Sequence, residues 1–167
     1  RFLLQAEVVR ETAPTTRYDA LNDVVVQKSN VARLIRIDTY IDDDFVSSQR
    51  SDGLIVATPT GSTAYALSGG GPLLHPALNA IVLVPICPHT LSNRPIVVEA
   101  DSVVEIVLSE GQTSPAVLTC DGETVIELQV GDRVRVRKRT PAVRLIHPAG
   151  HAYFATLRTK LHWAKER

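Results

Sequence analysis

The chain has 167 residues, 44% of them apolar and 22% charged, with 18 Lys and Arg balanced by 18 Asp and Glu. That length and composition describe one globular domain large enough to bury a core. A net charge of +0 offers no general attraction to nucleic acid or to membrane surfaces, and no run approaches the ~18 apolar residues that a membrane-spanning helix needs.

The first apolar run is Phe2–Val9. Nothing there reads as a signal peptide. Arg1 leads straight into that run and the chain contains no methionine, so it is expected to be the downstream piece of a longer protein. Val24–Val26 is a second short run. Ile35, Ile37, Thr39 and Ile41 then alternate with Arg36, Asp38 and Tyr40, the period of a half-buried strand. Ala80–Val84, Ile96–Val98, Ala116–Cys120 and Val143–Ile146 are further candidate strands. Val104, Ile106 and Leu108 alternate with Val103, Glu105 and Val107, so that strand is expected to be covered on both sides. Asp121-Gly122 between two apolar runs is a hairpin signal, and Gly131-Asp132 marks the next turn. Val134 and Val136 alternate with Arg133, Arg135 and Arg137.

Near the end, Phe154, Leu157, Leu161 and Ala164 fall at helical spacing over Tyr153–Ala164. About ten short strands at close spacing predict a mainly β chain. The expected fold is a multi-stranded β-sandwich over 1–150, with one short helix after the TPTGSTAY turn, and a helical tail over 151–167. Cys87 and Cys120 have no Cys-x-x-Cys spacing and no His/Cys cluster near them. They are expected to be two buried, reduced thiols, which favours a cytoplasmic location. No histidine sits in a metal-ligand pattern, and no metal site is predicted.

The most informative stretch is 51–71, SDGLIVATPTGSTAYALSGGG. Leu54–Ala57 has the length and branching of a buried strand, Thr58-Pro59-Thr60-Gly61 breaks it, and Ser62–Ser68 reads as a short helix stopped by three glycines. Strand, hydroxyl-rich turn and helix start is an arrangement that presents backbone N–H groups to an anion or a nucleotide. The hydroxyls of Thr60, Ser62 and Thr63 can cap that helix or meet a ligand. The plainer reading is structural punctuation. No Gly-Lys-Ser/Thr follows the glycine, so this is not a P-loop, and the Gly-x-Gly-x-x-Gly dinucleotide motif is absent.

Taken with its surroundings, the stretch resembles the C-terminal domain of NAD kinases, the ATP-dependent enzymes that make NADP. The resemblance is carried by SDGLIVATPTGSTAYALSGGGPLLHP, by VPICPHTLSNRPIVV, by Asn22-Asp23-Val24-Val25, by Thr119-Cys120-Asp121-Gly122 and by the closing YFATLRTKLHW. It covers nearly the whole chain in order. It implies transfer of the ATP γ-phosphoryl group, with Mg²⁺, to the 2′-hydroxyl of NAD's adenosine ribose. The family's Gly-Gly-Asp-Gly motif, with its catalytic Asp, belongs to an upstream α/β domain and does not occur in these residues. No catalytic residue is therefore assigned here, and the chain alone is expected to be inactive.

By the same resemblance, Asn22 and Asp23 hold the adenosine end and its ribose hydroxyls, an amide to donate beside a carboxylate to accept. Thr63, Ala64, Tyr65, Ala66, Leu67 and Ser68 line the NAD pocket. Arg50 and Asp52 serve the nicotinamide or phosphate side, and Arg33 and Glu123 are further contacts. Asp23 stands where many relatives carry Glu. Plainer readings remain open: Asn22-Asp23 as a strand-end turn, Tyr65 as core, Arg50 as a surface arginine and Asp121-Gly122 as a hairpin turn only. The implied partners are NAD or NADP, ATP, the upstream domain, on which the stripe of Phe154, Leu157 and Leu161 packs, and further copies in a dimer or tetramer. A different class of function is a non-catalytic nucleotide- or lipid-binding β-sandwich related to diacylglycerol and sphingosine kinases. The polar set Asn22, Asp52, Thr63 and Ser68 suits a hydroxyl-rich nucleoside better than an acyl chain.

Overall fold

The computed structural model describes residues 1–10, 13–29, 33–90, 92–109, 115–150 and 152–163, with the side chains of 124 and 125 left aside. Leu91, His151 and Ala164 lie outside the described residues. Twelve strands are present: β1 (Leu3–Val9), β2 (Thr16–Ala20), β3 (Asp23–Lys28), β4 (Ile35–Ile41), β5 (Asp44–Ser51), β6 (Gly53–Ala57), β7 (Ala80–Ile86), β8 (Ile96–Glu99), β9 (Val104–Leu108), β10 (Ala116–Cys120), β11 (Glu123–Leu128) and β12 (Arg133–Arg139). Two helices accompany them, α1 (Tyr65–Ser68) and α2 (Tyr153–Leu161), with a single 3₁₀ turn over Gly61–Thr63.

The strands form two six-stranded sheets in the orders β2-β1-β12-β9-β4-β5 and β11-β10-β3-β6-β7-β8, with every recorded pairing antiparallel. The chain is thus the predicted β-sandwich. Its core lies between the sheets. Leu4, Ala6, Val8, Ile35, Ile37, Val104, Ile106, Val134 and Val136 from the first sheet meet Val24, Val26, Leu54, Val56, Ile81, Leu83 and Leu118 from the second.

The outer faces differ. On the first sheet the alternate residues are charged and cross-strand paired: Glu7 Oε1 lies 2.6 Å from both Arg17 and Arg137, and Glu105 lies 2.5 Å from Arg133 and 2.6 Å from Arg135. The basic run of β12 is therefore paired along its length: Arg133, Arg135 and Arg137 with the two glutamates, Lys138 with Asp101 and Arg139 with Asp19. On the second sheet the outer face carries a second apolar cluster, Val25, Ile55, Ala57, Ala66, Leu74, Val82 and Val84. The segment after β6 folds back over this face, which explains why Leu54–Ala57 and Ala80–Val84 are continuous apolar runs rather than alternating ones.

Several expectations are corrected. Val143–Ile146 forms no strand and its residues are exposed. Pro141 and Pro148 bracket it, each removing a ladder donor, and Val143 N–H donates instead to the Arg1 carbonyl at 2.6 Å. Cys87 is exposed, at positive φ where β7 ends; Cys120 is buried as predicted. The outward residues of β9, Glu105 and Val107, are half-buried rather than covered. The α2 stripe is not left without a surface. Leu157 is buried within this chain, and the rings of Tyr153 and Phe154 lie 5.0 and 5.8 Å from His75. Phe154 and Trp163 nevertheless remain 61% exposed.

Candidate functional site

A cleft of about 420 Å³ opens on the outer face of the second sheet, lined by Asn22, Asp23, Val25, Gln27, Ala64, Tyr65, Thr119, Asp121 and Gly122. Three elements build it. Strand β3 is its floor: Asp23, Val25 and Gln27 alternate with the core residues Val24 and Val26 and so face outward together. The β10–β11 hairpin forms one wall. Its turn residues Asp121 and Gly122 both have positive φ, 51° and 84°, which the Asp-Gly pair adopts readily. The β10–β11 pairing shifts register between Leu118 and Thr119 beside the site, with the extra residue on β11. The turn after β6 forms the other wall and supplies Ala64 and Tyr65.

That turn does not offer a helix N-terminus to an anion. The 3₁₀ turn and α1 are separated by a break at Ala64, and α1 is four residues long. The hydroxyls are spent on the turn itself. Ser62 is fully buried; its Oγ donates to Pro59 O at 2.7 Å and accepts from Leu74 N at 3.0 Å, while Thr63 Oγ1 donates to Thr60 O at 3.1 Å. The role of the turn is to hold its neighbour. Thr58 Oγ1 donates to Leu21 O at 2.7 Å and accepts from Gly61 N at 3.0 Å, and Thr58 N donates to Asn22 O at 2.9 Å. A Cβ on Gly61 would lie 2.0 Å from the Asn22 carbonyl oxygen, so only glycine permits this approach.

The hairpin grips the same segment from the other side. Asp121 Oδ2 accepts from Leu21 N at 2.7 Å, and its Oδ1 accepts from Asn22 N at 2.7 Å and Asp23 N at 3.1 Å. Asp121 N donates back to Asp23 O at 3.0 Å. Thr58 and Asp121 thereby satisfy every backbone N–H and C=O from Leu21 to Asp23. The side chains of Asn22 and Asp23 are left to line the cleft.

Asp23 is only 4% exposed. Burial first, and the Asp121 carboxylate second, push its pKa from an ordinary 3.8 up to about 6. The same surroundings, burial foremost and then Asp121, Asp23 and Asp19, push the Cys120 thiol up to about 12. None of the residues lining this cleft is a cation. Both oxygens of Asp121 accept from backbone N–H groups. No group of three or more His, Cys, Asp or Glu suited to a metal occurs among the described residues.

The sequence-predicted residues divide. Asn22, Asp23, Ala64 and Tyr65 come together in the cleft, and Tyr65 is 42% exposed there. Thr63 and Ser68 are exposed beside them and Leu67 is half-buried, whereas Ala66 is fully buried in the apolar cluster beneath the turn and does not reach the cleft. Glu123 is exposed next to Gly122. Asp52 pairs with Lys28 at 2.6 Å, one residue past Gln27 at the far end of β3. Arg50 is exposed on β5, where its carbonyl accepts from His89 N at 2.9 Å. Arg33 is exposed and stands apart from the cleft lining. Val25, Thr119 and Asp121 belong to the motifs that carry the resemblance, but neither they nor Gln27 are named from the sequence as site residues. The signal for Val25 and Gln27 was there: if Asp23 faces a site, the period of two turns them to the same side. Thr119 follows from register, since it pairs with Val25.

Residues 21–148 match the model of the ATP-NAD kinase C-terminal domain. The chain belongs to that family. It is 57% identical to the NAD kinase of Nitrosococcus oceani over 99% of its own length and 57% of that protein, and 54% identical to the NAD kinase of Chromohalobacter salexigens over 98% and 56%. It therefore spans little more than half of these relatives. Its fold superimposes on yeast NADH kinase, solved as a complex with NADH, with a TM-score of 0.79 and 33% identity over 84% of this chain and 40% of that one. An NAD kinase from Archaeoglobus fulgidus, solved in complex with ATP, gives a TM-score of 0.67 and 28% identity over 84% and 52%. The family's C-terminal domain is thus seen here as a sandwich with a recessed polar cleft, beside the TPTGSTAY segment, that is built on Asn22 and Asp23.

Proposed function

We propose that this chain is the substrate-binding part of an NAD kinase, which transfers the γ-phosphoryl group of ATP to the 2′-hydroxyl of NAD's adenosine ribose. The observation that carries this is the Asn22–Asp23 turn, whose backbone is fully satisfied while its amide and carboxylate face a cation-free cleft beside Tyr65. In that setting the Asp23 carboxylate accepts from ribose hydroxyls, the Asn22 amide both donates and accepts, and Tyr65 borders the nucleoside with its ring. The absence of a cation from the lining favours an uncharged, hydroxyl-rich group at this end. From Asp23 to Gln27 the floor runs ~13 Å along β3, so an extended dinucleotide laid on it reaches Asp52 and Arg50, the proposed nicotinamide or phosphate end.

Chemistry requires groups supplied from elsewhere in the protein: an upstream α/β domain with the catalytic Asp, and ATP with Mg²⁺ held on its phosphates. Phe154 and Trp163, still exposed on the C-terminal segment, are the surface on which we place that domain. Assembly as a dimer or tetramer and a cytoplasmic location complete the reading; the two free thiols support a reducing compartment. Calorimetry with NAD on the full-length protein tests it. Asp23→Ala should weaken NAD by ~1.5–3 kcal/mol, about 10- to 150-fold, and Tyr65→Ala by ~1–3 kcal/mol. Residues 1–167 alone should form no NADP. An unchanged NAD dissociation constant in Asp23→Ala would refute the assignment.

A further inference from the structure

We propose that Asp121 is a positioning residue for nucleotide binding: from the β10–β11 turn its carboxylate holds the Leu21–Asp23 backbone so that Asn22 and Asp23 point at the ribose hydroxyls of the substrate. This rests on the nucleotide-binding reading above and assigns a role to a residue that otherwise reads as a hairpin turn. The geometry is specific. One carboxylate accepts three consecutive backbone N–H groups, at 2.7, 2.7 and 3.1 Å, across a gap of about a hundred residues in sequence. Charge-assisted bonds to backbone amides are the strong kind. Thr58 closes the same segment from the opposite wall through Leu21 O and Asn22 O. A hairpin turn needs none of these long-range bonds. Their effect is to freeze the one segment whose side chains face the cleft, and so to remove the ordering cost that a ligand would otherwise meet on binding.

Asp121 also acts on Asp23 through charge. The ionisable groups around Asp23 are Asp121 and Cys120 from the hairpin, Asp19 from β2 beside Cys120, and Tyr65 across the cleft, with Glu123 exposed beyond Gly122. Replacing Asp121 by a neutral residue thus changes two things together, the placement of the turn and the pH at which Asp23 ionises. A residue that merely stabilised the hairpin would leave the placement of the turn, and with it NAD affinity at a pH where Asp23 is ionised, unchanged.

The test uses the full-length protein and NAD, with calorimetry between pH 5 and pH 8. In the wild type, NAD affinity should rise as pH passes through about 6, where Asp23 becomes a carboxylate acceptor. Asp121→Asn should weaken NAD at pH 7.5 by about tenfold or more, because its NH₂ cannot accept from Leu21 N–H. It should also move the pH midpoint downward, since a like charge is gone. Asp121→Glu keeps the charge but misplaces it, so affinity should fall with the midpoint near that of the wild type. A second arm needs no variant at this position: amide hydrogen exchange at Leu21, Asn22 and Asp23 should be slow in the unliganded wild type, and Thr58→Val should speed it and weaken NAD. The proposal is overturned if those amides exchange freely, or if Asp121→Asn lowers the melting temperature while leaving affinity and pH midpoint unchanged. Asp23→Ala separates the two readings. If it binds NAD normally, the site assignment fails; if it does not and the Asp121 variants behave as wild type, only the positioning role fails.

Discussion

The two sheets share one core and treat their outer faces in opposite ways. The first sheet turns alternating charges to solvent and pairs them across strands, whereas the second buries much of its outer face under the segment that follows β6 and opens a cleft where that cover ends. The difference shows most clearly in the carboxylates. Glu7 is held below the usual carboxylate range chiefly by the Arg17 hydrogen bond. For Glu105, burial acts upward and the bonds from Arg135 and Arg133 outweigh it. Asp23, on the second sheet, has no such partner and is pushed up. One face pairs its acids with arginines; the other keeps an uncompensated acid in the candidate site, the pattern expected where function is carried at the expense of stability.

The strongest way to break this comparison is at the covered face. Gly61→Ala would drive a methyl group into the Asn22 backbone, at 2.0 Å from its carbonyl oxygen. The backbone has nowhere flexible to give, so a loss of about 3 kcal/mol or more is expected, read as a fall in melting temperature together with loss of NAD binding. If Gly61→Ala is as stable as the wild type, the turn is not packed on Asn22 and the account of the second sheet fails.

The next test is pH. The folded pKa of Asp23 lies above its unfolded value, so its contribution to stability is fully present below 3.8 and is lost as pH rises through about 6. Two units correspond to about 3 kcal/mol. Asp23→Asn should therefore stabilise the unliganded protein at pH 7.5, by up to that amount, and the gain should shrink towards pH 4, while NAD binding falls. Denaturant unfolding at several pH values checks this, and a variant equally stable or less stable at pH 7.5 would remove the premise that Asp23 is uncompensated.

The charged face has the opposite sign. Glu7 and Glu105 contribute stability that is present above the ordinary carboxylate pKa and lost as pH falls through their lowered values. The arginine partners are about half exposed or more, so solvent screens the pairs. Glu7→Gln should cost about 1 kcal/mol or less, and the cost should diminish in high salt. A loss of several kcal/mol, insensitive to salt, would mean that this face is organised more like a buried network.

The smallest effect separates the cysteines. Exposed Cys87 should react with a thiol reagent at pH 7.5, and Cys120, buried with its thiol pushed up to about 12, should not until the protein unfolds. Mass spectrometry of the labelled native protein decides it, and equal labelling of both would show that the wall of the cleft opens.

How much of this was legible in the sequence depends on the range of the interaction. Local periodicity placed β4, β9 and β12, and the continuous runs placed β6 and β7, because side-chain alternation and its suppression by burial on both faces are properties of a few adjacent residues. It failed at Val143–Ile146, where an apolar run carries the strand pattern but only Val143 finds a backbone partner among the described residues, Arg1, and the run stays exposed. The fold brings the Asn22–Asp23 pair and Tyr65 to one cleft, and from their chemistry and their motif they could be marked as candidate site residues. What they are held by could not. The hydroxyls of Thr60, Ser62 and Thr63 can from the sequence either cap the helix or meet a ligand, and those of Ser62 and Thr63 are spent inside the turn; Asp121 reads as a hairpin residue and reaches Leu21, Asn22 and Asp23. The sequence by itself determined the β-sandwich class, the site motif and the family. Only the tertiary structure decided which carboxylate clamps the backbone and which one lines the cleft with both oxygens uncommitted to it, because that choice rests on two turns about a hundred residues apart meeting over β3, and no local pattern encodes a contact of that separation.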